Sequence, residues 1–163
     1  MSRDISIAPL TAGAFAPFGD ILDITGSPDV MINQGKCGRY HDRAQLDFDA
    51  DGRAGISLFA GTPYPLPLAL TMMERHPKGA QAFIPMDTQP FLVIVAADAN
   101  GSPGRPVAFC TDGAQGVNYH RNTWHAVLTP LQKPQTFAVV DRIGPGNNLE
   151  EYWFDEPYMI HDA

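Results

Sequence analysis

Between Leu66 and Met86 the residues alternate as they do in an extended strand. Successive side chains of a strand point to opposite faces. Leu66, Leu68, Leu70 and Met72 therefore share one face, and continued alternation puts Glu74 and His76 on it too. Pro63, Pro65 and Pro67 exclude a helix ahead of this run. Pro77-Lys78-Gly79 turns the chain, and a second strand, Ala80–Met86, carries Gln81 and Phe83 on one face. An apolar stripe ending in a carboxylate and an imidazole matches the interior of a β-barrel with polar groups at one mouth. Gly116–His125 (GVNYHRNTWH) is placed to bring His125 to the same mouth.

The rest of the chain is punctuated by turns. The 15 Gly and 15 Pro among 163 residues favour many turns and few long helices. Ile5–Pro9 is expected to be a first strand. Thr11–Phe18 is expected to be a helix capped by Thr11 and stopped by Pro17 and Gly19. Further strands are expected at Asp20–Thr25, Cys37–Asp49, Ile56–Ala60, Val107–Thr111, Trp124–Pro130 and Phe137–Arg142. Phe91–Ala97 is apolar on both faces, as a fully covered central strand would be. Glu150–Asp155 is expected to be a last strand, followed by a surface tail. Nothing divides the chain, so residues 1–163 are expected to form one domain. Nine to eleven short strands with turns between them predict an all-β sandwich or barrel of antiparallel strands.

Charge and composition exclude some classes. A net charge of −7 and a pI near 5.0 leave no basic footprint, so no nucleic-acid partner is expected. No stretch approaches the ~20 apolar residues of a membrane span, and MSRDISIAPL lacks an apolar signal core. Cys37 and Cys110 match no metal spacing and are expected to be free thiols. A cytoplasmic location follows as the expectation.

Glu74, His76 and His125 are the candidate chemical groups. A carboxylate and two imidazoles bind a divalent metal through nitrogen and oxygen, or serve as general acid and base. Spacing alone does not decide between the two. Four arginines stand nearby in sequence: Arg39, Arg75, Arg121 and Arg142. A guanidinium forks onto a carboxylate, so a pocket with one suits a small acidic substrate. Alternation turns Arg75 away from the face of His76. Asp141 and Arg142 point to opposite faces of a regular strand, so at most one faces the pocket. Phe83, Tyr119 and Trp124 are expected to pack. His120 is expected to be a bystander, and His161 to have no role. Neither a phosphate-cradling glycine loop nor a nucleophile elbow is present.

The strings ERHPKGAQAFIPM (Glu74–Met86), FLVIVA (Phe91–Ala96) and GVNYHRNTWH (Gly116–His125) resemble the motifs of the ureidoglycolate lyase family. So do RYHD (Arg39–Asp42) and VVDR (Val139–Arg142), in the same order over nearly the whole chain. The resemblance implies a cupin-type, jelly-roll-like antiparallel β-barrel with one or two short helices, usually a homodimer. It implies cleavage of ureidoglycolate to glyoxylate and urea in purine and allantoin degradation. Cupins carry two His one residue apart, then a Glu, and one His in a second motif. Here Glu74 stands for the first His, His76 for the second, Gln81 for the Glu and His125 for the last. The resemblance thus makes His76, Gln81 and His125 ligands of a divalent metal, nickel in this family. It makes Glu74, His76 and His125 the catalytic set, with Arg39, Arg75, Gln81, Arg121 or Arg142 holding the substrate. Two other classes compete: a barrel that binds a small carboxylate without chemistry, and a different metal-dependent cupin enzyme, isomerase or dioxygenase.

Overall fold

A computed structural model describes residues 1–162. In chain order its elements are β1 (Asp4–Pro9), α1 (Ala12–Phe15), β2 (Gly19–Leu22), β3 (Val30–Ile32), β4 (Cys37–Arg39) and β5 (Arg53–Gly61). There follow β6 (Leu68–Arg75), β7 (Gln81–Pro85), β8 (Phe91–Ala96), β9 (Asp98–Ala99), β10 (Ser102–Pro103) and β11 (Val107–Cys110). The last are β12 (Gly116–Tyr119), β13 (Trp124–His125), β14 (Thr129–Pro130), β15 (Gln135–Ile143) and β16 (Glu150–His161). The expected all-β barrel is what forms. The strands outnumber the nine to eleven expected because β9, β10, β13 and β14 are two-residue pairings, too short to leave a periodic signal.

Two sheets make the body. The larger runs β11-β1-β16-β6-β13-β8-β14, and β11 also pairs with β8, so this sheet returns on itself. The smaller runs β2-β12-β7-β15-β5. Pairing is antiparallel except at β1, which runs parallel to both β11 and β16.

β8 shows why the two sheets belong together. All six of its residues are buried, as a strand apolar on both faces requires. Leu92, Ile94 and Ala96 join Leu70, Met73 and Ile160 in one apolar layer. Phe91, Val93 and Val95 join Phe83, Val117 and Phe137 of the smaller sheet in another. Each fully buried aliphatic or aromatic side chain contributes about 1.5–3 kcal/mol, so the two layers carry most of the stabilisation.

Four local expectations are corrected. The helix is shorter than Thr11–Phe18. Thr11 does cap it, accepting from the Ala14 N–H at 3.4 Å, but the helix ends at Phe15 ahead of Pro17. Of Asp20–Thr25, only Asp20–Leu22 is strand, in an element that begins at Gly19. Of Cys37–Asp49, only Cys37–Arg39 is strand. The chain beyond runs along the barrel end, where the Ala80 N–H bonds to the Asp47 carbonyl and the Asp49 N–H to the Lys78 carbonyl. The expected surface tail is instead the end of β16. Tyr158–Ile160 pairs with Leu68–Leu70, and Ile160 is fully buried.

The stripe on β6 also departs from strict alternation. Leu70 and Met73, three positions apart, lie in the same apolar layer. The face therefore slips by one residue between them. Opposite this point β16 is irregular, with Phe154–Pro157 inserted between the pairs Trp153↔Met72 and Tyr158↔Leu70. Leu68 and Leu70 consequently face one layer, while Glu74 faces the other.

Candidate functional site

Glu74 and His125 are cross-strand partners, joining β6 to β13. Partners across an antiparallel pair project to one face, here the side on which the smaller sheet packs. The other neighbour of His125 is Val95, which belongs to the layer between the sheets. His76 follows the end of β6 and brings its ring to 5.2 Å from that of His125, centroid to centroid. One ligand atom from each of Glu74, His76 and His125 falls within 4.8 Å of the others. The three meet between two sheets rather than at the mouth of one closed sheet.

Backbone carbonyls orient both rings. Nδ1 of His76 lies 2.8 Å from the Asn148 carbonyl, and Nδ1 of His125 lies 2.9 Å from the Ala126 carbonyl. A carbonyl only accepts, so each Nδ1 carries the proton and each Nε2 is left as a lone pair. Neither Nε2 has a hydrogen-bond partner. Tyr119 lies flat against His125, 4.3 Å away at 5°. Burial pushes the His125 pKa down to about 3, with the neighbouring His76 adding to the shift. Burial raises the Glu74 carboxyl above its ordinary value, offset in part by His76. Nε2 of His76 is 4.0 Å from Oε1 of Glu74.

Gln81 and Phe83 share a face of β7, as alternation predicts, and line a cavity of about 390 Å³ with Glu74, Phe59, Val127 and Leu128. Gln81 donates from Nε2 to Asp141 at 3.1 Å, while its Oε1 is buried without a partner. Two imidazole nitrogens, an amide oxygen and a carboxylate form a donor set for a divalent cation. The unpartnered state of Nε2 in His76, Nε2 in His125 and Oε1 in Gln81 fits that role, because buried polar atoms otherwise find partners.

The arginines are distributed differently. Arg75 faces away from the site, pairing with Glu150 at 2.6 Å and Asp98 at 2.9 Å and covering the Trp124 ring at 4.4 Å. Arg142 is buried against Asp49 at 2.6 Å and donates to the Pro145 carbonyl at 2.8 Å. Arg121 donates to the Pro77 carbonyl at 2.7 Å and sits 3.7 Å from Asp47. Arg39 is exposed on β4. The structure brings Glu74 together with His76 and His125, and with Gln81 on the wall of the cavity, and brings none of the four arginines into that cavity.

Tyr119 packs as expected, and it does so in the core and against the His125 ring. Of Asp141 and Arg142, the one that faces the site is Asp141, on the inner face of β15 and paired directly with Gln81. One participant has no sequence signal: the Asn148 carbonyl comes from a loop, and a backbone acceptor leaves no trace in residue type.

Fold and site together define a cupin-type β-barrel whose two sheets enclose two imidazoles, a carboxylate and an amide. The profile of the ureidoglycolate lyase family matches residues 2–161. A ureidoglycolate lyase of Rhodobacter capsulatus is 58% identical over 156 residues, covering 96% of this chain and 97% of the relative. Those of Mesorhizobium japonicum and a Chelativorans species are 54% and 53% identical, each over at least 96% of this chain and 97% of the relative. The chain belongs to the ureidoglycolate lyase family.

Proposed function

We propose that this protein cleaves ureidoglycolate to glyoxylate and urea, at the cavity lined by Glu74 and Gln81. The observation that carries the reading is the group Glu74, His76 and His125, two unpartnered imidazole lone pairs beside a carboxylate of raised pKa.

The substrate carbon bears a hydroxyl, a carboxylate and a ureido nitrogen. Cleavage moves one proton from the hydroxyl to the departing nitrogen as the carbonyl of glyoxylate forms. Glu74 is placed to do both: its carboxylate takes the hydroxyl proton and returns it to the nitrogen. Burial, which raises its proton affinity, suits a group that must hold the proton between the two transfers. Proton transfer of this kind is worth about 10²–10⁴-fold. Gln81 orients the ureido group, and Tyr119 keeps the His125 ring from turning. His76, Gln81 and His125 would hold a divalent ion, nickel on the family resemblance, through Nε2, Oε1 and Nε2, and such an ion would supply polarisation of the substrate hydroxyl and a lowered hydroxyl pKa. Two free thiols, Cys37 and Cys110, suit the reducing cytosol.

Urea release from ureidoglycolate tests the reading, with Glu74→Gln alongside the wild type. The wild type is expected to turn over and Glu74→Gln to lose about 10²–10⁴-fold in kcat while remaining folded. Saturable glyoxylate binding without urea would instead make the barrel a binding module. Chelation followed by nickel is expected to lower and then restore the rate.

A further inference from the structure

Every residue from Val30 through Arg39 is exposed. This is the β3–β4 hairpin, and it is built rather than slack. The Asp29 N–H bonds to the Arg39 carbonyl at 2.9 Å, and the Asp29 carboxylate accepts from the His41 N–H at 2.9 Å and Arg43 at 3.0 Å. The Tyr40 hydroxyl donates to the Gly26 carbonyl at 2.8 Å. The tip turns through Asn33, Gln34 and Gly35 at φ of 54°, 59° and 80°. Such a hairpin is marginal in water unless its apolar side chains find cover, and Val30, Met31 and Ile32 are left 46%, 52% and 38% exposed in this chain.

Cover of that kind is available at the cavity. β5 ends the smaller sheet, so its outer edge is unpaired among the described residues. Ile56 and Leu58 on it are 77% and 68% exposed, and Val127 across the cavity mouth is exposed as well. A nine-residue unpaired edge whose only charge is Arg53 at its start is a template for another strand.

Charge points the same way. The cavity holds Glu74, with Asp141 bonded to its Gln81, and Arg75, Arg121 and Arg142 are engaged elsewhere. A small carboxylate bound there meets no cationic side chain of its own chain among the lining residues. Between Val30 and Arg39 the hairpin carries Lys36 and Arg39 and no acid. Neither side chain makes an ion pair among the described residues. In its own chain the arm springs from beyond β2, at the edge of the smaller sheet opposite β5, about 19 Å from that strand across four strand spacings.

We propose that the β3–β4 arm of a second copy lies along β5 and over the cavity, seating Val30–Ile32 against Ile56, Leu58 and Val127 and delivering Arg39 to the substrate carboxylate. The exchange is reciprocal, as a two-fold dimer requires, so each copy completes the other's site. The identity of that carboxylate rests on the function proposed above; the exchange of arms does not.

Complementation tests it. Arg39→Ala is expected to lose about 10–100-fold in kcat/KM, the worth of a charged hydrogen bond, and His125→Ala to be inactive. Mixing the two, with subunit exchange, forms heterodimers holding one intact site in two. The mixture is expected to recover about a quarter of wild-type activity. If Arg39 served its own chain, every site would stay damaged and the mixture would show no more than the residual activity of Arg39→Ala alone. That result, or full activity in Arg39→Ala alone, overturns the proposal. A second readout needs no substrate. A photocrosslinker at Met31 is expected to join to a β5 peptide of the other copy in isotopically mixed protein, and sedimentation is expected to give a dimer. Crosslinks confined within one copy, or a monomer, overturn it even in a protein that releases no urea.

Discussion

At the residue scale the site depends on two lone pairs held outward by two carbonyls. His76→Ala and His125→Ala each remove one, and each is expected to lower kcat for urea release by about 10²–10⁴-fold with the circular dichroism spectrum unchanged. His125 also governs a pH effect on stability. Its folded pKa, about 3, lies below its ordinary 6.5, so the unfolded chain binds the proton more tightly. The folded state is therefore favoured above 6.5 and loses stability as pH falls from there toward 3, by up to about 1.4 kcal/mol per pH unit. Glu74 works in the opposite sense. Its raised pKa contributes stability at low pH that is lost as pH rises through the folded value. Urea denaturation of metal-free protein between pH 4 and 7 is expected to show a shallower slope in His125→Gln than in wild type; equal slopes would contradict the buried neutral imidazole. The residues that meet at the cavity were legible because Glu74, His76, Gln81 and His125 sit in long distinctive strings. That Arg75 turns away from His76 was legible as well, but the acids that engage Arg75 and Arg142, Glu150 and Asp49, were not, since they lie far away in sequence.

At the element scale, what alternation conveys is which residues of one strand share a face, and what it withholds is the partner strand. It placed β8 between two apolar layers and Gln81 beside Phe83. It missed the slip between Leu70 and Met73 because the cause, the Phe154–Pro157 insertion, belongs to a strand distant in the chain. It also read the segment after Arg39 as strand, whereas Asp47 and Asp49 bond to the β6–β7 turn outside any sheet. That segment is tied to β15 by the buried Arg142 side chain. Removing a partner from such a contact strands the other. Arg142→Ala is expected to speed proteolytic cutting within residues 40–52, measured by limited digestion, relative to a surface control such as Arg53→Ala. Equal cutting would show that the tie is not what holds the segment.

For the whole molecule the notable feature is β1, the strand formed by Asp4–Pro9, wedged between β11 and β16. Parallel neighbours cannot be joined by a tight turn, so β1's partners lie where Ala108 and Met159 are, most of the chain away. Pairings of such long range are slow to form. Protein ending at residue 149 is expected to be digested readily by protease, and protein ending at residue 161 to resist it. A resistant shorter chain would mean that the body closes without β16. During synthesis β1 must then wait with both edges bare until β11 has been translated, and with one edge bare until β16 follows. The cell holds an adhesive ribbon for that interval, and chaperone contact with nascent chains should concentrate there.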